Sequence, residues 1–134
     1  MLISVETSIN KSIDRIWSAY TKPEEIVQWN FASDDWHTTK STVDLRVGGT
    51  FSSRMEAKDG SFGFDFAGVY TNIIPKKLIE YNLGERKAKV EFIESNKSVM
   101  VKVTFDTETE NSIEQQKSGW QAILDNFSKY VLSN

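Results

Sequence analysis

The sequence contains a single histidine, and that histidine lies beside two carboxylates. His37 follows Asp34 and Asp35 at spacings of three and two residues. A histidine next to a carboxylate can work as an acid–base pair, and both side chains can bind a metal ion. The spacing matches no recognised metal motif, and there is neither a second histidine nor a cysteine to complete a site. We therefore expect a solvated acidic loop here, with no metal site and no cofactor.

Two other sets of charged residues fall on the wet faces of predicted strands. Asp65 alternates with phenylalanines, so we expect it outside the core unless the strand bends at Gly63 or Gly68 and turns it inward. An inward carboxylate would need a partner or a raised pKa. Arg54 and Glu80 are expected to form a surface ion pair that contributes little to stability.

Motifs for common catalytic chemistry are absent from the sequence. We find no Ser/His/Asp arrangement, no glycine-rich phosphate loop with a lysine and no dinucleotide fingerprint. This favours a protein that is not an enzyme.

Length and charge limit the function further. The 134 residues suggest one domain over 1–134, and the net charge is −3 with scattered Lys and Arg. No basic patch for nucleic acid is visible. The first residues lack a basic segment followed by a long apolar one, so we expect no membrane insertion and a cytoplasmic location.

The element around which the chain is organised is its last segment, residues 112–132. Apolar residues recur there at spacings of three, four and seven, which predicts an amphipathic helix. Ser112 and Gln115 form a capping-box start. Gly119 lies mid-helix, where glycine costs roughly 1 kcal/mol relative to alanine, and it suggests the close approach of another backbone or of a ligand.

Most of the remaining chain is predicted to form strands. Two short helices, at 13–20 and from Pro23 onward, follow a first strand at 2–9, and residues 30–40 show no period and are predicted to be a loop. Hairpin turns are expected at Asp59-Gly60, Gly84-Glu85 and Asn96-Lys97. The predicted later strands are 42–45, 50–57, 62–74, 78–83, 88–94 and 98–105. The sequence therefore predicts an α+β fold, in which an antiparallel sheet of about six or seven strands packs around the last helix.

Aromatic residues are abundant: four Trp, four Tyr and eight Phe. Alternation and helical spacing place many of them toward the sheet–helix interface. By composition, such a set indicates a well-filled core more often than a pocket. The apolar members of this set are Trp29, Phe31, Trp36, Phe51, Met55, Tyr81, Phe92, Phe105, Trp120, Leu124 and Phe127.

Several short segments, in order along nearly the whole chain, resemble one known family. They are Ile16-Trp17, residues 21–25, Gln28-Trp29, residues 44–51 (DLRVGGTF), residues 68–70, residues 74–79 and Gly119-Trp120. They are similar to START-like proteins of the SRPBCC superfamily, in the branch typified by the activator of a heat-shock chaperone ATPase (the AHSA type). The resemblance implies a helix-grip fold, in which a curved antiparallel sheet wraps around a long C-terminal helix over a hydrophobic cavity, with two short helices after the first strand.

The function that this resemblance implies is binding of a small hydrophobic molecule, lipid-like or polycyclic, between the sheet and the last helix. Polar groups among the apolar ones would orient it. The expected ligand-binding residues are Trp29, Trp36, Phe51, Ser53, Met55, Tyr81, Phe92, Phe105, Gln116, Trp120, Leu124 and Phe127.

Two alternatives stay open. One is an interaction protein that modulates a chaperone ATPase in a stress response; the eukaryotic activator has an extra N-terminal domain, so we rank this partner below a small apolar ligand. The other is a cyclase- or hydrolase-like enzyme that acts through Tyr81 or through Asp35 and His37. We expect a monomer or a homodimer.

Overall fold

The computed structural model describes all 134 residues. The strands are β1 (Leu2–Ile9), β2 (Trp36–Val43), β3 (Thr50–Ala57), β4 (Gly63–Ile74), β5 (Leu78–Leu83), β6 (Arg86–Glu94) and β7 (Val99–Asp106). The helices are α1 (Ile13–Thr21), α2 (Pro23–Trp29) and α3 (Ile113–Ser133).

All seven strands form one antiparallel sheet in the order β1-β7-β6-β5-β4-β3-β2. Strands β2 to β7 are therefore joined as consecutive hairpins, and β1 pairs with the last strand along its whole length. Gly60 and Gly84 have positive φ, as tight turns between such strands require. The predicted helix-grip architecture is confirmed: the curled sheet holds the long C-terminal helix on its inner face.

Helix α3 begins where its cap predicts. Ser112 accepts a hydrogen bond from the backbone of Gln115, and the Gln115 side chain accepts one from the backbone of Ser112. The helix packs most closely on β1, where Gln121 donates to the carbonyl of Glu6, and it also touches α1 and α2. Its second half carries the fully buried side chains Phe127 and Val131.

The predicted loop over 30–40 is wrong in its second half, because β2 already begins at Trp36. The alternation of apolar and polar residues typical of a strand is not visible in this part of the sequence, because the inward-facing residue after Trp36 is the polar Thr38. Thr38 is buried because its hydroxyl donates to the carbonyl of Asn30. A satisfied hydroxyl can occupy a core position that a simple pattern reserves for apolar residues.

The bend predicted in β4 lies elsewhere. The register shift falls between Tyr70 and Asn72, and not at Gly63 or Gly68. Gly68 instead allows a close approach, since an added Cβ would lie 2.5 Å from the carbonyl oxygen of Asn82 and 2.8 Å from the ring of Phe51. The strand is therefore not reversed at the glycines.

Asp65 lies outside as expected, with 63% of its side chain exposed. The predicted ion pair between Arg54 and Glu80 is wrong, because β4 separates their strands. Arg54 instead contacts Glu56 at 2.9 Å and Asp65 at 3.6 Å, and Glu80 accepts from Asn72.

Candidate functional site

A cavity of about 760 Å³ lies between the inner face of the sheet and the first half of α3. Its walls come mainly from β2 to β5, from residues 20–33 and from residues 115–124 of α3. Eighteen of its 30 lining residues are hydrophobic. A space of this size and character is typical of sites for small molecules.

The cavity exists because the two halves of α3 meet different surroundings. In the second half, Phe127 packs edge-on against Tyr20 and Trp29, with ring centroids 5.1 and 4.8 Å away. In the first half, Gly119 has no side chain to fill the space, and a Cβ placed there would meet nothing within 4 Å. The sheet is thus filled under one half of the helix and left open under the other.

The structure brings most of the predicted ligand-binding residues together. Nine of the twelve line the cavity: Trp29, Trp36, Phe51, Ser53, Met55, Tyr81, Gln116, Trp120 and Leu124. The other three, Phe92, Phe105 and Phe127, are buried behind that lining. Phe31 is also outside the lining.

Trp120 forms part of the wall and rests on a buried ring. It stacks on Phe105 with centroids 4.3 Å apart and planes 7° apart, and Phe66 meets it edge-on at 5.9 Å. Trp120 is only half-buried, and its indole nitrogen has no partner in the protein. Trp29 differs, because its indole donates to the carbonyl of Ala19 at 2.9 Å.

An aromatic cluster of Trp36, Phe62 and Phe64 lines the cavity and reaches the protein surface. The Trp36 ring lies 6.0 Å from that of Phe62 and 5.9 Å from that of Phe64. Phe62 and Phe64 are 62% and 40% exposed. Large apolar side chains held at the surface beside a cavity indicate an entrance for an apolar molecule.

The polar groups of the wall are of two kinds. Some already form hydrogen bonds within the protein. The Gln116 side chain accepts a hydrogen bond from the amide of Glu108 and donates to the carbonyls of Glu108 and Asn111. These bonds fix the β7–α3 loop against the helix. The predicted role of Gln116 in orienting a ligand stays a prediction. Ser53 is buried beside Ser41, with hydroxyl oxygens 3.3 Å apart, and this weak pair leaves hydrogen-bonding capacity for a ligand.

The others are three tyrosines, Tyr20, Tyr70 and Tyr81. Tyr70 and Tyr81 are paired residues of β4 and β5, and Tyr20 reaches the cavity from α1. Burial raises the pKa of Tyr70 to about 12, with the nearby charge of Asp44 adding to the effect. Burial also raises the pKa of Tyr20 and of Tyr81. All three are therefore neutral hydroxyls at physiological pH.

Sequence reasoning identified Tyr81 but missed Tyr20 and Tyr70. The Gly48-Gly49 turn is the sequence feature that could have pointed to Tyr70, because the backbone of this turn pairs with the backbone of Tyr70. The amide of Gly48 donates to the carbonyl of Tyr70 at 2.8 Å, and the amide of Tyr70 donates to the carbonyl of Gly49 at 2.9 Å. A Cβ at Gly49 would lie 2.1 Å from the carbonyl oxygen of Asp44. Only glycine therefore permits the turn that makes these two backbone hydrogen bonds to Tyr70.

The acidic segment before β2 is separate from the cavity. Asp34, Asp35 and His37 do not line it. Asp35 accepts a hydrogen bond from Ser33, and its carbonyl accepts one from the amide of Lys58. No group of three or more His, Asp or Glu side chains is placed to hold a metal ion.

Few charges line the cavity. Arg86, Glu108 and Glu110 do so, and all three belong to the β5–β6 and β7–α3 ends. Desolvation pushes the pKa of Glu108 upward, but the amides of Glu110 and Asn111 that donate to it, with the charge of Arg86, hold it below its usual value. The remaining wall is uncharged.

Comparison with known proteins identifies the family. The model of the family described as "Activator of Hsp90 ATPase homolog 1-like protein" (AHSA1) matches residues 10–132. The chain belongs to the AHSA1 family. Comparison with curated proteins finds no match.

Solved structures of other proteins have the same fold. An AHSA1-like protein from Aeromonas hydrophila is 45% identical with a TM-score of 0.93, over 99% of this chain and 93% of that one. A protein from Cytophaga hutchinsonii is 41% identical with a TM-score of 0.85, over 98% of this chain and 92% of that one. A Nitrosomonas europaea protein shares the fold at 16% identity, with a TM-score of 0.82 over 99% of this chain and 95% of that one. None of the helices in this AHSA1-family chain has the length and apolar character needed to span a membrane.

Gly119 gives a first testable prediction. Gly119→Ala should raise the free energy of unfolding of the ligand-free protein by up to ~1 kcal/mol, because helix propensity improves and the added methyl meets nothing within 4 Å. Urea melts of the parent and the variant would measure this. A destabilised variant would show that the space beside Gly119 is occupied.

Proposed function

We propose that this protein binds a small, mostly apolar molecule in the cavity between the sheet and α3. The observation that carries the proposal is the cavity itself: about 760 Å³, with a wall in which 18 of 30 residues are hydrophobic. Ligand pockets are typically roughly 300–1,000 Å³, with apolar walls and a few polar groups. The aromatic cluster of Trp36, Phe62 and Phe64 would serve as the entrance.

The energetics support an occupant. Apolar surface that faces an open cavity gains nothing from burial until something displaces the water or fills the void. A ligand that covers this wall would stabilise the folded protein by mass action, since the unfolded chain has no such site. Carrier, sensor and sequestering roles all agree with such a site.

The experiment is native mass spectrometry of freshly purified protein, followed by titration with an apolar fluorescent probe such as 1-anilinonaphthalene-8-sulfonate. We expect a retained small molecule, or saturable probe binding by the emptied protein. Gly119→Phe should fill the cavity and weaken probe binding by at least about ten-fold.

Ser118→Phe is the matched control. Ser118 is the exposed neighbour of Gly119 on the same helix and does not line the cavity, so this variant should bind the probe as the parent does. Equal binding by both variants would place the probe elsewhere on the surface. No retained molecule and no saturable binding would contradict the proposal.

The family description favours one second candidate, modulation of the Hsp90 ATPase. Under this alternative the purified chain should raise the ATP turnover of Hsp90 in a titration, and Gly119→Phe should leave that effect unchanged because the cavity would play no part. An unchanged ATPase rate at saturating chain would remove this candidate. The cytoplasmic location and the monomeric or homodimeric state stay predictions.

A further inference from the structure

Tyr20, Tyr70 and Tyr81 all line the same cavity. Tyr70 and Tyr81 are directly opposed in the β4–β5 pairing, and the Phe51 ring lies 5.1 and 4.9 Å from their rings. Tyr20 adds to the pKa shift of Tyr81, and Tyr70 adds to the shifts of both, so the three hydroxyls lie within electrostatic reach of each other. One group of a bound molecule could therefore meet more than one of them.

None of the three hydroxyls has a hydrogen-bond partner in the protein. No fully enclosed side-chain nitrogen or oxygen lacks a partner in this chain. The unpartnered tyrosine oxygens must therefore still be reachable from the cavity that their residues line, even though Tyr70 and Tyr81 are each only 7% exposed. Three reachable hydroxyls without protein partners on one largely apolar wall are available to donate hydrogen bonds to a ligand.

The surroundings also define the charge of the group they would meet. The hydroxyls remain protonated at neutral pH, so each can donate a hydrogen bond. The charge that adds to the raised pKa of Tyr70 is that of Asp44, an anion, and the one cation of the wall, Arg86, is offset by Glu108 and Glu110. An anionic oxygen would be buried there without compensation, whereas an uncharged acceptor would gain donors without that cost.

We propose that Tyr20, Tyr70 and Tyr81 form a donor cluster that selects an apolar ligand with an uncharged acceptor oxygen at its buried end, of the ketone or quinone class. This inference rests on the proposed binding function and narrows its ligand class. The apolar wall accommodates the body of the molecule, and the donor cluster fixes its orientation and discriminates against hydrocarbons of the same shape.

The test compares 9-fluorenone with fluorene, two tricyclic molecules of nearly the same shape that differ by a carbonyl oxygen. Affinities for both are measured by calorimetry or by quenching of tryptophan fluorescence. We expect fluorenone to bind about ten-fold more tightly, since donation by two hydroxyls in a water-poor site is worth about that factor. Its carbonyl stretching band should shift to lower frequency on binding, which a purely apolar contact would not produce. Fluorene-9-carboxylate should bind more weakly than either.

The variants are Tyr81→Phe and Tyr70→Phe. Each should abolish most of the preference for fluorenone over fluorene, measured as the ratio of the two affinities in the same variant. Neither should lower the urea midpoint, because no protein hydrogen bond is lost. Tyr130→Phe is the control: its hydroxyl donates to Glu25 at 2.9 Å and does not line the cavity, so the preference should survive.

The outcomes separate the two proposals. Equal affinity for fluorenone and fluorene, or a preference that persists in both tyrosine variants, would overturn the donor cluster while leaving apolar binding intact. Failure to bind fluorene, fluorenone and the fluorescent probe would overturn both.

Discussion

Phe127→Ala should lower the free energy of unfolding by ~3–5 kcal/mol, the range observed when a fully buried phenylalanine is removed. Phe127 has no exposed surface and belongs to the second half of α3, where the space between the helix and the sheet is filled. The Tyr20 and Trp29 rings meet it at 5.1 and 4.8 Å, so the truncation removes aromatic contacts on two sides. Urea melts at pH 7 would measure the loss.

Trp120→Ala is the matched comparison, because Trp120 lies two turns earlier on the same apolar stripe. One face of its ring stacks on Phe105, but the side chain also borders the cavity and is only half-buried. The part of the Trp120 ring that faces the cavity has no neighbouring atoms, so its removal breaks no contacts. We therefore expect a smaller decrease in the free energy of unfolding, of about 1–3 kcal/mol. Equal losses in the two variants would show that the cavity is closed around Trp120 in solution.

The sequence predicts the fold well where pattern and turn chemistry agree. The capping residues of α3, the hairpins at Asp59-Gly60 and Gly84-Glu85, and the strict alternation of β7 each specify local geometry without help from the rest of the chain. The start of β2 could not be predicted in the same way. Its inward Thr38 is stabilised by the carbonyl of Asn30, a contact that exists only after the chain has folded.

The site is less predictable than the fold, for a related reason. Helical spacing places Trp120 and Leu124 on the sheet side, but it cannot tell the wall of a cavity from a filled core. Phe127 has the same spacing, yet it lies behind the lining. Whether a tyrosine hydroxyl finds a protein partner depends on distant chain segments: Tyr130 donates to Glu25, 105 residues away, while Tyr81 has no partner.

Helices α1, α2 and α3 meet at one carboxylate, that of Glu25. Arg15 of α1 contacts it at 2.6 Å, Ser18 of α1 donates to it at 3.3 Å and Tyr130 of α3 donates to it at 2.9 Å. The Arg15 guanidinium also lies 5.8 Å from the centroid of the Tyr130 ring. Because Glu25 is mostly buried, these contacts are less screened than those of a surface ion pair.

Glu25→Ala should therefore lower the free energy of unfolding by about 2–3 kcal/mol at pH 7, because it leaves both the half-buried Arg15 and the Tyr130 hydroxyl without their partner. Glu24→Ala is the control. Glu24 is the exposed neighbour in the same helical turn, has no ion pair, and should change stability by no more than about 0.5 kcal/mol. Similar losses in the two variants would mean that the three-helix contact contributes nothing beyond a helix-end charge.

The pH dependence of Glu25→Gln tests the same contact through its charge. Desolvation raises the pKa of Glu25, but the hydrogen bonds from Arg15 and Tyr130 and the charge of Arg15 outweigh it and hold that pKa below its ordinary value of 4.5. A depressed carboxylate pKa stabilises the folded state fully above the unfolded value, and this contribution is lost as the pH falls through the folded value. The urea midpoints of the parent and Glu25→Gln should thus differ at pH 7 and converge below pH 4.5 as Glu25 takes up its proton. A difference that stays constant between pH 7 and pH 3 would show that the carboxylate acts through its shape and not through its charge.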